Sequence, residues 1–332
     1  MKYSLGIGLT NNCNLLCPHC YRNKDKISNV SLKDIKTLFR YFPINSVGMG
    51  TGENILNPEF DEILEYLSKQ DIKLSIASNG LTLTSLCEEK LAFFNDVEVS
   101  VDFPTERGQD SFRGSGNWSL IHQAIERCKD LGINMSLLAT MMSINYQYMK
   151  DLVSLARSFD LNLRVAVYQA VFSDSYRLSY DQFWQGFKDL LSTGELISCS
   201  EPVVRAALGL NPVYSPCGHK SIRINPLGQI SPCVYYNGTH TTHSLHTIND
   251  LSDLGEDILN TYYFMLSREI PSEAKDCPCQ GGCFSRRALD GNLNAHDFYC
   301  PWARGEEMKL EYHQAVETDL VRSENNCNII VK

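Results

Sequence analysis

The stretch "NNCNLLCPHCYR" sets Cys13, Cys17 and Cys20 in C-x3-C-x2-C spacing, with Pro18 and His19 between the last two. Cysteine thiolates are the usual ligands of iron–sulfur clusters. A cubane held by only three of them keeps one iron open to a small molecule. Zinc is the competing occupant, although a structural zinc site closes with four ligands and no partner pair such as C-x2-C lies nearby. A second set follows much later. Cys217 and Cys233 flank Gly228 as C-x10-G-x4-C, and "CPCQGGCFSRRALDGNLNAHDFYC" supplies Cys277, Cys279, Cys283 and Cys300.

Polar residues stand where strands should end. "GMGTGENILNP" offers Thr51, Gly52 and Glu53, "SIASNGLTLT" offers Ser78 and Asn79, and "SVDFPTERGQDSFRGSG" offers Asp102 and Arg113. Glycine lets backbone approach a ligand, a carboxylate suits an ammonium donor, and the arginine fork matches a carboxylate. Parallel α/β folds collect ligands at these strand ends.

The elements that must position these residues follow from periodicity. Short apolar runs, "SLGIGL", "SVGMGT", "IKLSIAS", "VEVSVD", "NMSLLAT" and "NLRVAVY", alternate with segments of helical spacing such as "SLKDIKTLFRYF" and "SLIHQAIERCKDLG". Ser31 with Asp34 reads as an N-cap pair, and Gly132 as a helix stop. Six strand–helix repeats make an α/β fold with a parallel sheet, open or curved into a partial (β/α)6 barrel, and the pattern stops short of a full eight-fold barrel. The expected limits are a barrel over 1–170, a helical bridge over 171–212 containing "YDQFWQGFKDLL", a smaller cysteine-rich domain over 213–302, and a last helix and tail over 303–332. Within the third part, "SIRINPLGQISPCVYY" reads as a hairpin turning at Pro226, Leu227 and Gly228, and "DLGEDILNTYYFMLSRE" as a helix.

The chain has 332 residues, thirteen of them cysteine, and a formal net charge of −9. That balance argues against a basic surface tracking nucleic acid. No 18-residue apolar run exists and the first residues lack a signal-peptide core, so no membrane association and a cytoplasmic location are expected. Spaced cysteines in that setting mean metal or redox chemistry more than disulfides. Cys87 and Cys128 read as small hydrophobes within amphipathic helices, and Cys199 and Cys327 stand apart from the clusters.

With these motifs in order, the first half of the chain resembles the radical S-adenosylmethionine superfamily. The resemblance implies that Cys13, Cys17 and Cys20 hold a 4Fe–4S cluster whose open iron chelates the methionine moiety of S-adenosylmethionine. It also implies that His19 packs near the adenine, that Thr51, Gly52 and Glu53 meet the methionine ammonium, that Ser78 and Asn79 reach the ribose, and that Arg113 takes the carboxylate. Thr51 departs from the family's first glycine. Reductive cleavage would then give methionine and a 5′-deoxyadenosyl radical that removes a hydrogen atom from substrate. The sequence names no general acid or base.

The second cysteine set resembles the SPASM domain, or its shorter Twitch relative, which carries auxiliary iron–sulfur clusters. By the family's interleaved connectivity, Cys217, Cys233 and Cys283 serve one cluster, and Cys279 and Cys300, with Cys277 if it reaches, a second. One cysteine of the family's C-x2-C-x5-C is missing, since Cys277 and Cys279 are separated by Pro278 alone. Six cysteines cannot fill eight positions. Either a cluster is open, or Asp276, His219, Cys199 or Cys327 joins, or one cluster forms, with zinc the competitor.

SPASM-bearing enzymes of this size mostly modify peptides and proteins. The resemblance therefore implies an oxidoreductase or lyase maturing a ribosomally synthesised peptide, with a separate leader-recognition protein and a low-potential donor such as flavodoxin or ferredoxin. A Twitch-type small-molecule dehydrogenase and a non-catalytic iron–sulfur adaptor are the alternatives.

Overall fold

The computed structural model describes residues 2–211, 217–236, 243–245, 255–316 and 327–332. Its strands are β1 Tyr3–Gly8, β2 Ile44–Gly50, β3 Lys73–Ser78, β4 Asp96–Ser100, β5 Met135–Met141, β6 Asn162–Val167, β7 Leu196–Cys199, β8 Ser221–Ile224, β9 Gln229–Ser231, β10 His243–Ser244 and β11 Asn328–Val331. β1 to β6 pair consecutively and in parallel, with crossover helices such as Leu32–Tyr41, Phe60–Ser68, Asn117–Asp130 and Met149–Ser158. This is the curved six-stranded barrel sheet that the alternation predicts. Ser31 and Asp34 close a capping box, Asp34 N donating to Ser31 Oγ at 3.2 Å and Ser31 N to Asp34 Oδ2 at 2.9 Å. β1, β4, β5 and β6 are mostly buried, Leu163 to Val167 without a break, whereas β2 and β3 alternate buried residues with less buried ones, several of which line the cavity.

Both edges of this sheet are extended by later parts of the chain. β8 pairs in parallel with β1, placing Arg223 opposite Gly6. β9 returns antiparallel through a turn at Gly228, whose φ of 73° is left-handed. The Asn225 carboxamide oxygen accepts from Leu227 N and Gln229 N at 3.0 Å each. The predicted hairpin is therefore part of the barrel wall. On the other edge β11 pairs antiparallel with β6, and β7 with β11. The region expected as a helical bridge thus contains the helix Tyr180–Thr193 and also a strand.

The helix expected from Ala303 does not form in the described residues. A single 3₁₀ turn, Trp302–Arg304, ends at Gly305 with φ 73°. The chain beyond commits its backbone to other elements: Leu310 N donates to Ala207 O at 2.8 Å, and Leu196 N donates to His313 O at 2.7 Å. Residues 317–326 lie outside the described residues, and "NIIV" then enters the sheet fully buried, as β-branched residues favour. The helix expected over 253–269 begins outside the described residues and is α-helical at Tyr262–Arg268. "YYNGTH" leaves them after Tyr236. Cys128 is buried as expected, whereas Cys87 is exposed, preceding a four-residue helix.

One charge cluster lies buried inside the barrel, with Glu98 at the wall of its cavity. Arg164 on β6 donates to Asp96 Oδ2 at 2.6 Å and Glu98 Oε1 at 2.8 Å, both on β4. Burial pushes the Asp96 carboxyl from 3.8 up to about 7, outweighing the pull of Arg164. In that window the native chain binds more protons than the unfolded one, so this group's contribution is lost as pH rises. The Tm of the parent protein is expected to fall with rising pH across the window relative to Asp96→Asn. Parallel profiles would refute this.

Candidate functional site

The C-terminal mouth and interior of the barrel form one cavity, lined among others by Cys13, Cys17, Cys20, His19, Asn79 and Arg113. The cysteine loop leaves β1 and is held by charged side chains on its backbone. Arg22 donates to Asn11 O at 2.9 Å and Leu15 O at 2.6 Å, and Lys24 to Cys17 O at 3.0 Å. The Cys17 thiol donates to Arg113 O at 3.7 Å. The Asn79 amide donates to Cys13 Sγ at 3.5 Å and to Asn14 Oδ1 at 2.8 Å. Burial raises the Cys13 and Cys17 thiols.

His19 stacks on Phe112 at 5.0 Å with planes 22° apart, and its Nε2 lies 3.6 Å from Asp102 Oδ2. Burial lowers its pKa to about 4, keeping the ring neutral. Its Nδ1 is buried with no partner among the described residues. Asp102 is itself buried. Burial pushes its carboxyl up, but Arg113, His19 and the Thr140 amide outweigh that and hold it below the usual range. Asp102 Oδ2 takes Arg113 Nε at 2.7 Å, so this contact orients the guanidinium and leaves its two terminal nitrogens without a hydrogen bond among the described residues.

At the end of β2, Thr51 has φ 70°, a left-handed conformation costing a β-branched residue of order 1–3 kcal/mol. This is the physical reason a glycine suits the position. Here Thr51 is held by a 2.8 Å hydrogen bond between its Oγ1 and the Tyr21 hydroxyl. Gly52 has φ 68°, and a Cβ there would stand 2.4 Å from Thr10 O and 2.5 Å from Asn12 O. The close approach that glycine permits is therefore between β2 and the cysteine loop.

Glu53 differs from expectation. It is fully buried and does not line the cavity. Its carboxylate accepts from Ser78 Oγ at 2.6 Å, Asn79 N at 3.0 Å, Thr82 N at 2.8 Å and the Thr82 hydroxyl. A carboxylate so engaged positions the end of β3 and does not face a ligand. Ser78 and Asn79 do line the cavity.

The second set of cysteines divides in two. Cys217, Cys233, Cys283 and Cys327 line a smaller cavity. Of the four residues weighed as additions, Cys327 is the one placed there: Cys199 lies in β7 with its thiol on Glu201 O at 3.7 Å, Asp276 is exposed, and His219 lines neither cavity. Cys277, Cys279 and Cys300 gather separately, their sulfurs 3.1–3.2 Å apart. Arg223 and Tyr235 line both cavities. The arginine crosses the bare face of Gly6, where a Cβ would stand 2.2 Å from Nη1. Arg223 carried no sequence signal beyond one charge in a buried strand.

Residues 7–156 match the family model described as "Radical SAM superfamily". Mycofactocin maturase MftC of Mycobacterium tuberculosis is 25% identical over 314 residues, covering 85% of this chain and 78% of that one. AlbA of Bacillus subtilis, an antilisterial bacteriocin subtilosin biosynthesis protein, is 24% identical over 330 residues, 91% and 71% of the two chains. The solved structure of anSMEcpe with bound AdoMet superposes with a TM-score of 0.72 at 18% identity over 92% of each chain. The chain carries a radical SAM domain over residues 7–156.

This radical SAM protein is an enzyme, with S-adenosylmethionine, a 4Fe–4S cluster and one or two auxiliary iron–sulfur clusters as its cofactors. The residues of the larger cavity fit the first two. Three thiols, a neutral ring with an unpartnered nitrogen and a guanidinium with free terminal nitrogens surround one space. Four cysteines around the smaller cavity likewise fit an auxiliary cluster. Among the described residues no helix is long and apolar enough to cross a membrane.

Proposed function

We propose that this radical SAM enzyme matures a ribosomally synthesised peptide. What supports that reading is likeness along 85% and 91% of the chain to a mycofactocin maturase and a bacteriocin biosynthesis protein. When bound, the cluster and S-adenosylmethionine supply the 5′-deoxyadenosyl radical that removes a hydrogen atom from substrate. The chain's own residues bind and orient. Cys13, Cys17 and Cys20 hold the cluster, and Asn79 steadies the Cys13 sulfur. The terminal nitrogens of Arg113, aimed by Asp102, take the methionine carboxylate. The backbone at Thr51 and Gly52 lies beside the ammonium, and Glu53 acts at one remove by fixing Ser78 and Asn79 for the ribose. His19, neutral and stacked on Phe112, offers its free nitrogen to the adenine.

Cys217, Cys233, Cys283 and Cys327 hold an auxiliary cluster, separated from the larger cavity by Arg223 and Tyr235. That shared wall suits electron traffic between the two centres. A flavodoxin or ferredoxin supplies the electron, a separate protein recognises the peptide's leader, and the setting is cytoplasmic. Under anaerobic dithionite reduction with S-adenosylmethionine, 5′-deoxyadenosine formation is expected to rise at least about tenfold when the cognate precursor peptide is added. A rise with amino sugar alcohols and none with peptide would overturn the peptide reading in favour of a small-molecule dehydrogenase.

A further inference from the structure

We propose that Cys277, Cys279, His296 and Cys300 hold a single tetrahedral metal ion of the zinc class, in the place where a second auxiliary iron–sulfur cluster was expected. The three sulfurs stand 3.2, 3.1 and 3.1 Å from one another. A ring nitrogen of His296 lies within 4.8 Å of the Cys277 and Cys300 sulfurs. Its Nδ1 is buried and has no hydrogen-bond partner among the described residues. Cys277, His296 and Cys300 bring three ligand atoms together, and Cys279 Sγ touches both sulfurs of that group, so the four residues supply the Cys₃His donor set of structural zinc sites.

Size decides between one ion and a cluster. Zinc–sulfur bonds of about 2.3 Å place tetrahedral ligands about 3.8 Å apart, so these sulfurs need open by only roughly 0.6 Å to admit an ion. On a cubane each thiolate binds a different iron at a different corner, and the sulfurs must stand much further apart. The same chain provides the contrast. Cys13, Cys17 and Cys20 line one cavity and Cys217, Cys233, Cys283 and Cys327 another, each with room beside the thiols. Neither cavity reaches Cys277, Cys279 or Cys300, which are 7%, 0% and 1% exposed within the main hydrophobic core.

Local backbone holds this geometry. Gln280, Gly281 and Gly282 have φ of 47°, 87° and 67°, a run of left-handed residues that folds the chain back after Cys279. Gln280 N donates to Cys277 O and Gly282 N to Cys279 O, each at 2.8 Å. The single residue between Cys277 and Cys279 keeps their sulfurs together.

The test reads metal and does not depend on the peptide substrate. Protein isolated anaerobically from cells replete in iron and zinc is expected to contain about one zinc and about eight irons per chain, the latter in two 4Fe–4S clusters. Zinc K-edge absorption should give three sulfurs at about 2.3 Å and one nitrogen at about 2.0–2.1 Å. His296→Ala should lower zinc at least about tenfold at unchanged iron, while His296→Cys should retain zinc in a four-sulfur shell, separating lost ligation from misfolding. Zinc-free parent protein with about twelve irons, loss of about four irons in His296→Ala, or loss of zinc from His296→Cys as well would each overturn the assignment.

Discussion

Cys17→Ala is expected to lower 5′-deoxyadenosine formation under dithionite by at least about 10³-fold, because residues that act as a unit fail together when one is removed. Cys13, Cys17 and Cys20 share one cavity, and with two thiolates the cubane loses a second protein-held corner, so iron should fall by about four per chain. The auxiliary centre should keep its iron. The four cysteines proposed for it come from β8's entry, the β9 exit, the turn after Cys279 and the approach to β11, and none of them belongs to the loop carrying Cys17. Cleavage within a few-fold of the parent, or loss of all iron, would sink the assignment. Chromatography of the nucleoside together with iron analysis distinguishes the two.

The largest stability effect should come from Arg164→Met. Arg164 is completely buried between two carboxylates that are themselves buried. Removing the guanidinium strands both, and breaking a buried pair in this way costs about 3–5 kcal/mol. Protonation offsets part of the loss, since burial already holds the Asp96 carboxyl near about 7; the deficit should therefore widen as pH rises. Denaturant midpoints measure it. The triple variant Arg164→Met, Asp96→Asn, Glu98→Gln should recover much of the stability, because no charge is left unpaired. If the triple variant is as weak as the single one, the loss arises from packing and not from charge.

The six-strand barrel was legible because its parallel strands read as short apolar or alternating runs, while the helices between them show their period in their amphipathic turns. Ser31 with Asp34 and Gly228 were legible for a similar reason, their chemistry being local. The edges were not. β7 and β11 have four residues each, too few to show a period, and they become strands by pairing with β6 and with each other across the fold. The site divides along the same line. Motif spacing located Cys13, Cys17 and Cys20, but the side chain of Glu53 turns inward toward Ser78 and Thr82, a direction no spacing encodes. Cys327 and His296 carry no motif at all; their places are set by the chain's return to the barrel edge and by the turn that brings Asp297 onto Cys283 N at 2.7 Å. Arg223 is visible only once β8 lies beside the glycine of β1.

Asn328–Val331 follows every other described element along the chain, yet it lies between two strands laid down before it. On the ribosome β6 therefore waits with a bare edge, and β7 with no strand beside it among the described residues, until those four residues emerge. Cys327 arrives with them. On the proposed ligation, filling of the auxiliary centre and closure of the sheet become one late event in biogenesis. Cells starved of iron would be expected to accumulate chains whose unsealed edge invites pairing with other molecules before maturation is complete.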